Sequence, residues 1–209
     1  MFHRKLAVAA APLALVLSGC QTIDQEVSNP AADTNADVER SVIESDLEYP
    51  TYQRDDILDE AENFFGQASA EVAELVADVF GEQGRPQAYI AGEEAGGAIG
   101  VGVTYGKGYL YRPNQQPVEV YWQGPSLGFD LGADASKVFT LVYDLGSTEN
   151  IYQRFPGGEG NFYVIGGAAA EVMTNGETTV VPIRTGVGAR TGVNVGYLHF
   201  SDNRNWIPF

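Results

Sequence analysis

The sequence predicts a mainly β domain, a small antiparallel β-barrel or meander with two N-terminal helices packed on it. Apolar residues first recur at helical spacing and then, from Gln87 onward, alternate with small or polar residues, which is the period of a strand. Short turns rich in glycine, asparagine and proline separate the alternating segments. Consecutive strands joined by tight turns pair antiparallel, and a long meander closes on itself because closure protects its edges.

Residues 1–19 are predicted to be a lipoprotein signal peptide. Basic residues near the start precede an uncharged apolar stretch over residues 6–17, which is too short to span a bilayer. The stretch ends in Leu-Ser-Gly-Cys, which resembles the processing motif of bacterial lipoproteins. We therefore expect cleavage between Gly19 and Cys20 and diacylglycerol on the Cys20 thiol, with an ordinary secretory signal as the alternative. Several acyl chains on Cys20 would hold the protein at a membrane.

Residues 20–50 are predicted to form an acidic flexible tether. They are rich in Asp, Glu, Asn and Ser and hold few large apolar side chains, so they cannot bury enough surface to offset the entropy of ordering. The expected location is the cell envelope, with a lipid anchor at Cys20 and the domain in the periplasm. Gln21 after the anchor somewhat favours the outer over the inner membrane, by the sorting rule of enteric bacteria.

The domain is predicted to span residues 51–209 and to begin with two helices, at about residues 55–66 and 69–83. In both segments apolar residues recur every three or four positions, so each helix has an apolar stripe to bury. Because the polar faces are acidic, we expect the stripes to pack on the sheet and not on a membrane. The predicted caps are Asp55 or Asp56 and Ser69 at the N-termini, and Gly66 at the first C-terminus.

Strands are predicted in the rest of the domain, over residues 98–103, 118–123, 126–131, 136–143, 161–173, 177–184 and 190–200. The Asn175-Gly176 pair is the strongest hairpin signal, because both residues tolerate positive φ. Glycines inside strands cost stability, so we expect strong coiling of a narrow barrel or a close helix where they occur, in preference to a ligand on the backbone. These glycines are Gly100, Gly102, Gly186, Gly188, Gly192 and Gly196.

The charge and the cysteine content exclude several classes of protein. With 12 basic and 28 acidic residues the formal net charge is −16, and no basic patch is visible in the sequence, so nucleic acid is excluded as a partner. A single cysteine cannot form an intrachain disulfide. No sequence motif indicates a cofactor, and we expect a monomer.

No catalytic or metal-binding group is predicted. Residues 124–128 match the Gly-x-Ser-x-Gly pattern around a nucleophilic serine, but that pattern needs a sharp strand-to-helix turn, and a strand-like segment follows Ser126. His199 is the one histidine after the leader and has no other His or Cys near it in the sequence, so we expect a surface or core residue. The sequence therefore predicts a protein that is not an enzyme and that binds no metal.

Three segments of the domain resemble the signatures of a known family. They are YWQGPSLGFD at residues 121–130, IYQRFPG at 151–157 and VPIRTGVGAR at 181–190, in one order and at compatible spacing. Over residues 54–209 the chain is similar to the envelope integrity protein A family. The resemblance implies a small periplasmic β-barrel-like domain needed for Gram-negative envelope integrity, distantly like the lipid-binding SYLF domains, with no enzymatic activity. Family members usually look exported and soluble, so the lipoprotein motif is a departure.

Four charged residues lie in otherwise small or apolar strand sequence, so some are expected to point inward: Glu93, Glu94, Arg184 and Arg190. A buried charge without a partner is strongly disfavoured, hence Glu–Arg pairing is the structural expectation. Alternatively, one of the arginines receives a lipid headgroup or a peptidoglycan carboxylate at the mouth of the barrel. Together with Trp122 these residues are the candidate ligand-binding residues.

The favoured function is that of a non-enzymatic envelope lipoprotein that supports envelope integrity by binding a lipidic or apolar ligand. The expected partners are the membrane, through acylated Cys20, and a lipid or cell-wall component. The first alternative is an adaptor or scaffold for envelope proteins or peptidoglycan. It would show an exposed aromatic patch with residues such as Tyr105, Tyr109, Tyr111, Tyr121 and Trp122. A hydrolase of envelope polymers is the least favoured, because the sequence offers acids without a recognisable pair.

Replacing Cys20 with serine is expected to release the protein from membranes, because serine offers no thiol for acylation. Fractionation of cells should find the wild-type chain with the membranes and the Cys20→Ser chain in the soluble periplasmic fraction. Intact-mass measurement should find acyl chains on the wild type and none on the variant. A wild-type chain that carries no acyl group and starts at another residue would contradict the lipoprotein prediction.

Overall fold

The computed structural model describes residues 49–66, 70–130, 136–158, 161–185 and 196–204, and for residues 97–101 and 126–130 the backbone alone. Two helices, α1 (Arg54–Phe65) and α2 (Ala70–Gln83), precede the sheet. Both lie where the spacing of apolar residues predicts them. The predicted leader and nearly all of the predicted tether lie outside the described residues.

Helix α1 begins at a different residue from the one predicted and ends where it is predicted to end. Gln53 is the N-cap, so the predicted cap at Asp55 or Asp56 is wrong. Asp56 instead accepts a hydrogen bond from the Gln53 backbone N–H (3.2 Å), as the third helical residue of a capping box does. Gly66, with a φ of 84°, ends the helix in a conformation that suits glycine. Ser69, the predicted cap of α2, lies outside the described residues.

The sheet contains nine strands among the described residues, and neighbouring strands pair antiparallel. The strands are β1 (Ala88–Tyr111), β2 (Val118–Asp130), β3 (Ser136–Tyr143), β4 (Arg154–Pro156), β5 (Phe162–Ile165), β6 (Ala168–Glu171), β7 (Met173–Thr174), β8 (Thr179–Thr185) and β9 (Tyr197–Ser201). The hydrogen-bonded order is β4-β9-β2-β1-β3-β8-β6-β5, and the short β7 pairs with β8. The predicted fold class, a mainly β antiparallel domain with two N-terminal helices, is confirmed.

Several strand predictions differ in detail from the structure. The strand predicted over residues 98–103 is the middle part of the much longer β1. The segments predicted over residues 118–123 and 126–131 form the single strand β2, because its ladder to β1 runs through without a break. The segment predicted over residues 161–173 is divided into β5 and β6 by a turn at Gly166, whose φ is 56°. Strand β4 was not predicted, and residues 190–195 of the last predicted strand lie outside the described residues.

The Asn175-Gly176 hairpin joins β7 to β8, as predicted, but with a different turn. Of the two residues only Gly176 has a positive φ (92°). Asn175 Oδ1 accepts hydrogen bonds from the backbone N–H groups of Glu177 (3.0 Å) and Thr178 (2.8 Å), so a side chain shapes the turn. Asn175 Nδ2 also donates to Gln153 Oε1 (2.9 Å), just before β4. This contact brings the β8 side of the curled sheet to its β4 edge, and the sheet approaches a barrel.

Two apolar cores lie on the two faces of the curled sheet. On the outer face, α1 and α2 bury their apolar stripes against β1, β3, β6 and β8. The inner core is filled by Ile90, Leu110, Val120, Trp122, Leu145, Ile151, Phe155, Met173, Leu198 and Phe200, among others. Strand β3 is buried on both faces, because Val138 and Val142 belong to the inner core while Phe139 and Leu141 meet the helices.

The long strand β1, with 24 residues, bends back on itself at glycines. Its first half pairs with β3 and its second half with β2. The two halves touch at Gly92 and Gly108, because a Cβ added at Gly92 would lie 2.7 Å from the Gly108 Cα atom. A Cβ at Gly106 would overlap the Trp122 ring, which occupies that space. Strong coiling is therefore present, but at glycines other than those from which it was predicted.

Replacing Gly92 with alanine is expected to destabilise the domain, because the methyl group would collide with backbone atoms of β1. Overpacking of this kind costs about 1–3 kcal/mol, which lowers Tm by roughly 2–12 °C in a domain of this size. Gly81→Ala is the control: a Cβ there meets nothing within 4 Å, and alanine favours the helix, so Tm should stay or rise. Thermal unfolding followed by circular dichroism measures both. An unchanged Tm in Gly92→Ala would contradict the close approach.

Candidate binding groove

Alternation along β1 places Glu94 on the inner face of the sheet. Ile90 belongs to the inner core, and the period of two carries Glu94 to the same side. Glu94 is 9% exposed, although its neighbour Glu93 faces solvent. Trp122 from β2 and Arg184 from β8 reach the same point from their own strands, and both are buried.

Glu94, Arg184 and Trp122 form a hydrogen-bonded cluster, which we call the buried triad. Arg184 donates from Nε to Glu94 Oε1 (2.5 Å) and from Nη2 to Oε2 (3.2 Å). The Trp122 indole N–H donates to the same Oε2 (3.2 Å). The predicted Glu–Arg pairing is therefore present, as a two-point contact that is strong for an ion pair. Nη1 of Arg184 has no hydrogen-bond partner among the described residues.

The carboxylates around Arg184 keep its guanidinium charged. Burial by itself lowers the pKa of Arg184, but the Glu94 carboxylate, and then Glu171, more than reverse this effect, so the pKa is raised. Glu171 also accepts a hydrogen bond from the Gly158 backbone N–H (3.0 Å). Each of these buried charged groups thus has an opposite charge or a hydrogen-bond donor beside it. Proteins tolerate buried charge when it is compensated in this way.

A cavity of about 390 Å³ opens beside the buried triad, and we call it the groove. Of the predicted ligand-binding residues, Glu93, Glu94 and Trp122 line it, while Arg184 lies behind Glu94. Arg190 lies outside the described residues, as do the predicted cleavage site and Cys20. The groove is lined by Glu93, Glu94, Ala95, Tyr105, Gly106, Lys107, Tyr121, Trp122, Gln123, Ser201 and Arg204.

Charged and aromatic groups share the rim of the groove. The β1–β2 register places Lys107 opposite Tyr121, and Lys107 Nζ lies 3.6 Å from Glu119 Oε1. The Arg204 guanidinium lies 5.7 Å from the centre of the Tyr121 ring, within the range of a cation–π contact. A hydrogen bond to Glu119, together with slight desolvation, raises the pKa of Tyr121. The phenol therefore stays protonated.

The aromatic patch that an adaptor would show forms only in part. Tyr105, Tyr109 and Tyr121 alternate on the face of the sheet away from the inner core, and Tyr109 is 44% exposed. Tyr111 packs against the helix-side core instead, and Trp122 is only 3% exposed. Three of the five tyrosine and tryptophan side chains named from the sequence thus share the outer face, and Tyr109 is the most exposed of them.

The polar side of the groove was not predicted from the sequence. Tyr105 and Lys107 alternate along one strand, and their period alone would have put them on one face. Gln123 comes from β2, whereas Ser201 ends β9 and Arg204 follows it, far away in the chain. Only the β2–β9 pairing brings them together.

Two residues are of a type that can act as a nucleophile or a metal ligand, Ser126 and His199, and the sequence predicts neither role. Ser126 lies within β2, paired with Gly102 of β1, so the strand-to-helix turn that exposes a nucleophile is not formed. His199 lies opposite Gln123 and Arg154, and burial, followed by the Arg154 charge, lowers the pKa of the imidazole. In the part of the chain that the structure describes, no three His, Cys, Asp or Glu side chains form a metal-binding group.

A curled antiparallel sheet with two helices on one face defines the class of a small β-barrel-like domain. The sequence profile of envelope integrity protein A matches residues 50–209, and the chain belongs to that family. A crystal structure of a β-barrel-like, uncharacterised protein from Brucella abortus is similar, at 43% identity and a TM-score of 0.69, over 76% of this chain and 99% of that chain. No match was found among curated proteins.

Family membership confirms the resemblance seen in the sequence and associates the protein with the integrity of the cell envelope. Among the described helices none is both long and apolar enough to cross a bilayer.

Removing Arg184 is expected to destabilise the domain strongly, because the Glu94 carboxylate would stay buried without its partner. Arg184→Met should cost about 3–5 kcal/mol of unfolding free energy. The double variant Glu94→Gln/Arg184→Met should cost less than the sum of the two single changes, by at least ~1 kcal/mol, since it leaves no unpaired charge. Urea unfolding of the four proteins measures this coupling. Additive costs would show that the two charges do not stabilise each other.

Proposed function

We propose that this protein is a non-enzymatic lipoprotein that supports envelope integrity by holding an envelope component in the groove, while acylated Cys20 holds the domain at a membrane. Family membership supports the envelope role. The observation that carries the binding role is the groove, a site of about 390 Å³ with aromatic rings and charges of both signs around it. Sites for small ligands are typically about 300–1,000 Å³, with a few polar groups on an apolar lining.

The inner core argues against an acyl chain inside the curled sheet. Leu145, Phe155, Met173 and Phe200 fill this space and are at most 1% exposed. Such interiors are close-packed, so a lipid tail would have to displace large side chains. A lipidic ligand, which the sequence favours, would therefore place its headgroup in the groove and its chains outside the inner core.

The acids of the groove support a binding role and not a hydrolytic one. Glu93 and Glu94 both line the groove, but they are neighbours on one strand, so their side chains leave the strand in opposite directions. The Glu94 carboxylate already accepts hydrogen bonds from Arg184 and Trp122. A general acid and a general base must reach the same bond of one substrate, which this arrangement disfavours.

The predicted anchor and tether set the distance over which the domain would act. From Cys20 to the first described residue, Tyr49, a fully extended chain spans at most ~100 Å. The groove would therefore meet components of the nearby membrane and of the wall beside it. We propose the outer membrane as the favoured location, on the residue that follows Cys20.

An adaptor role is the second candidate, and one observation favours it. Phe162 and Val164 on β5 are 50% and 57% exposed. Strand β5 ends the sheet order and has β6 as its partner among the described residues. An extended segment of another envelope protein could add to such an edge, with apolar contacts from these two side chains.

Changes in the groove are expected to remove envelope protection without unfolding the domain. In a strain that lacks the gene, Tyr121→Ala and Arg204→Glu chains should fail to restore growth on a membrane-active detergent, because they alter the aromatic wall and the charge of the rim. Surface changes of this kind typically shift unfolding free energy by about 0.5 kcal/mol or less, so protein level and Tm should stay close to wild type. Plating efficiency, immunoblots and thermal unfolding measure the three quantities.

Two controls accompany this assay. Tyr109→Ala removes an exposed tyrosine of the neighbouring strand β1 that does not line the groove, and it should protect cells as the wild type does. Val164→Lys tests the adaptor role. Loss of protection in Val164→Lys, with full protection by both groove variants, would reject the groove in favour of the β5 edge.

A further inference from the structure

We propose that the groove binds a sugar ring of an envelope glycan, with a size of about a disaccharide. The inference rests on the proposed function, because it takes the groove as the binding site, and it names the class of ligand. Three features of the groove support it: an aromatic wall, a rim that offers both donors and acceptors, and a rigid floor.

The wall of the groove is apolar and partly aromatic. Tyr105 and Tyr121 line it, Trp122 lies at the floor, and Gly106 adds no side chain. A pyranose ring presents C–H groups on its faces and hydroxyl groups around its edge. Its face can therefore pack against the tyrosine rings and lose apolar surface to them, as any apolar group does.

The rim offers both hydrogen-bond donors and hydrogen-bond acceptors to the hydroxyl groups of a sugar. Each hydroxyl is a donor and an acceptor at once, so a sugar requires partners of both kinds. Glu93 accepts, Lys107 and Arg204 donate, and these three residues border the same cavity. Gln123, which also lines it, carries an amide that can do either.

The mixed charge of the rim favours binding of a sugar over binding of other envelope components. An acyl chain has no hydrogen-bonding group, so it would bury the charged groups of the rim without forming hydrogen bonds to them. A polyanion would be repelled by Glu93 and by the net charge of −16 on the chain. A sugar satisfies donors and acceptors together, and so it fits the groove best.

The buried triad makes the floor of the groove rigid. The Trp122 indole is held by Glu94, which in turn is held by Arg184, so the ring cannot rotate freely. A Cβ at Gly106 would overlap that ring, and glycine there lets the indole lie against β1. Arg184 and Glu94 are thus positioning residues for the floor of the groove. A preorganised site binds with less loss of entropy.

The test is binding of tetrasaccharides to the full-length chain, purified in a detergent whose headgroup contains no sugar. Three tetrasaccharides serve as probes. The N-acetylglucosamine probe is neutral and acetylated, the mannose probe is neutral, and the galacturonic acid probe is anionic. We expect saturable binding of at least one of the two neutral probes, and weaker or no binding of the anionic probe, by isothermal titration calorimetry. Tyr121→Ala and Glu93→Gln should each weaken it by about 10-fold, through loss of a stacked ring and of a charged acceptor.

Matched controls locate the site. Tyr109→Ala and Glu177→Gln change the same residue types at exposed positions that do not line the groove, and they should bind like wild type. A bound probe whose affinity is unchanged in Tyr121→Ala would place the site elsewhere and overturn the inference. Absence of saturable binding for both neutral probes would overturn it as well.

The outcome separates this inference from the proposed function. If no sugar binds but groove variants still fail to protect cells, the ligand class is wrong and the groove remains the functional site. If a sugar binds in the groove but groove variants protect cells fully, the sugar site is real and the proposed function is wrong.

Discussion

The buried pair of Glu94 and Arg184 is the interaction on which the curl of the sheet and the shape of the groove depend. It joins β1 to β8 across the inner face, although β3 lies between these strands in the sheet. Burial of charge is costly unless each group is compensated in good geometry. Because Glu94 also accepts from Trp122, the contact fixes the relative positions of three strands. A flatter sheet would separate these groups and leave both charges unpaired.

One region of the sheet packs against the helices, and another region forms the groove. The helices cover the region of β3, β6 and β8, whereas the groove lies by β1, β2 and β9. Close contact between Gly92 and Gly108 lets β1 belong to both regions, because one long strand bends from the first to the second. The chain is acidic as a whole, yet Lys107 and Arg204 both lie at the groove. The groove therefore differs in charge from the remaining surface, as recognition sites often do.

Much of the fold could be predicted from local patterns. The helical period located α1 and α2, alternation located most strands, and the family signatures were confirmed over residues 50–209. Strand β4 was missed because it has three residues, of which only Phe155 is buried, and so it shows no period. The cap of α1 was misplaced because several polar residues precede the helix and any of them satisfies the local rule. The contact of Gly92 with Gly108 has no local signal, since other in-strand glycines look the same in sequence.

The sequence by itself determined the fold class, the family and the expectation that buried Glu and Arg side chains pair. The fold class and the family follow from patterns within short segments of sequence, and the pairing follows from the free energy cost of burying an unpaired charge. Both effects apply to any structure that the chain adopts. Only the tertiary structure decided that Glu94 pairs with Arg184, that Trp122 completes the cluster, and that Arg204 from beyond β9 borders the same groove as Lys107. Such contacts depend on which strands become neighbours and on how far the sheet curls. Packing over the whole domain determines both, and no single segment of the sequence has a pattern that predicts them.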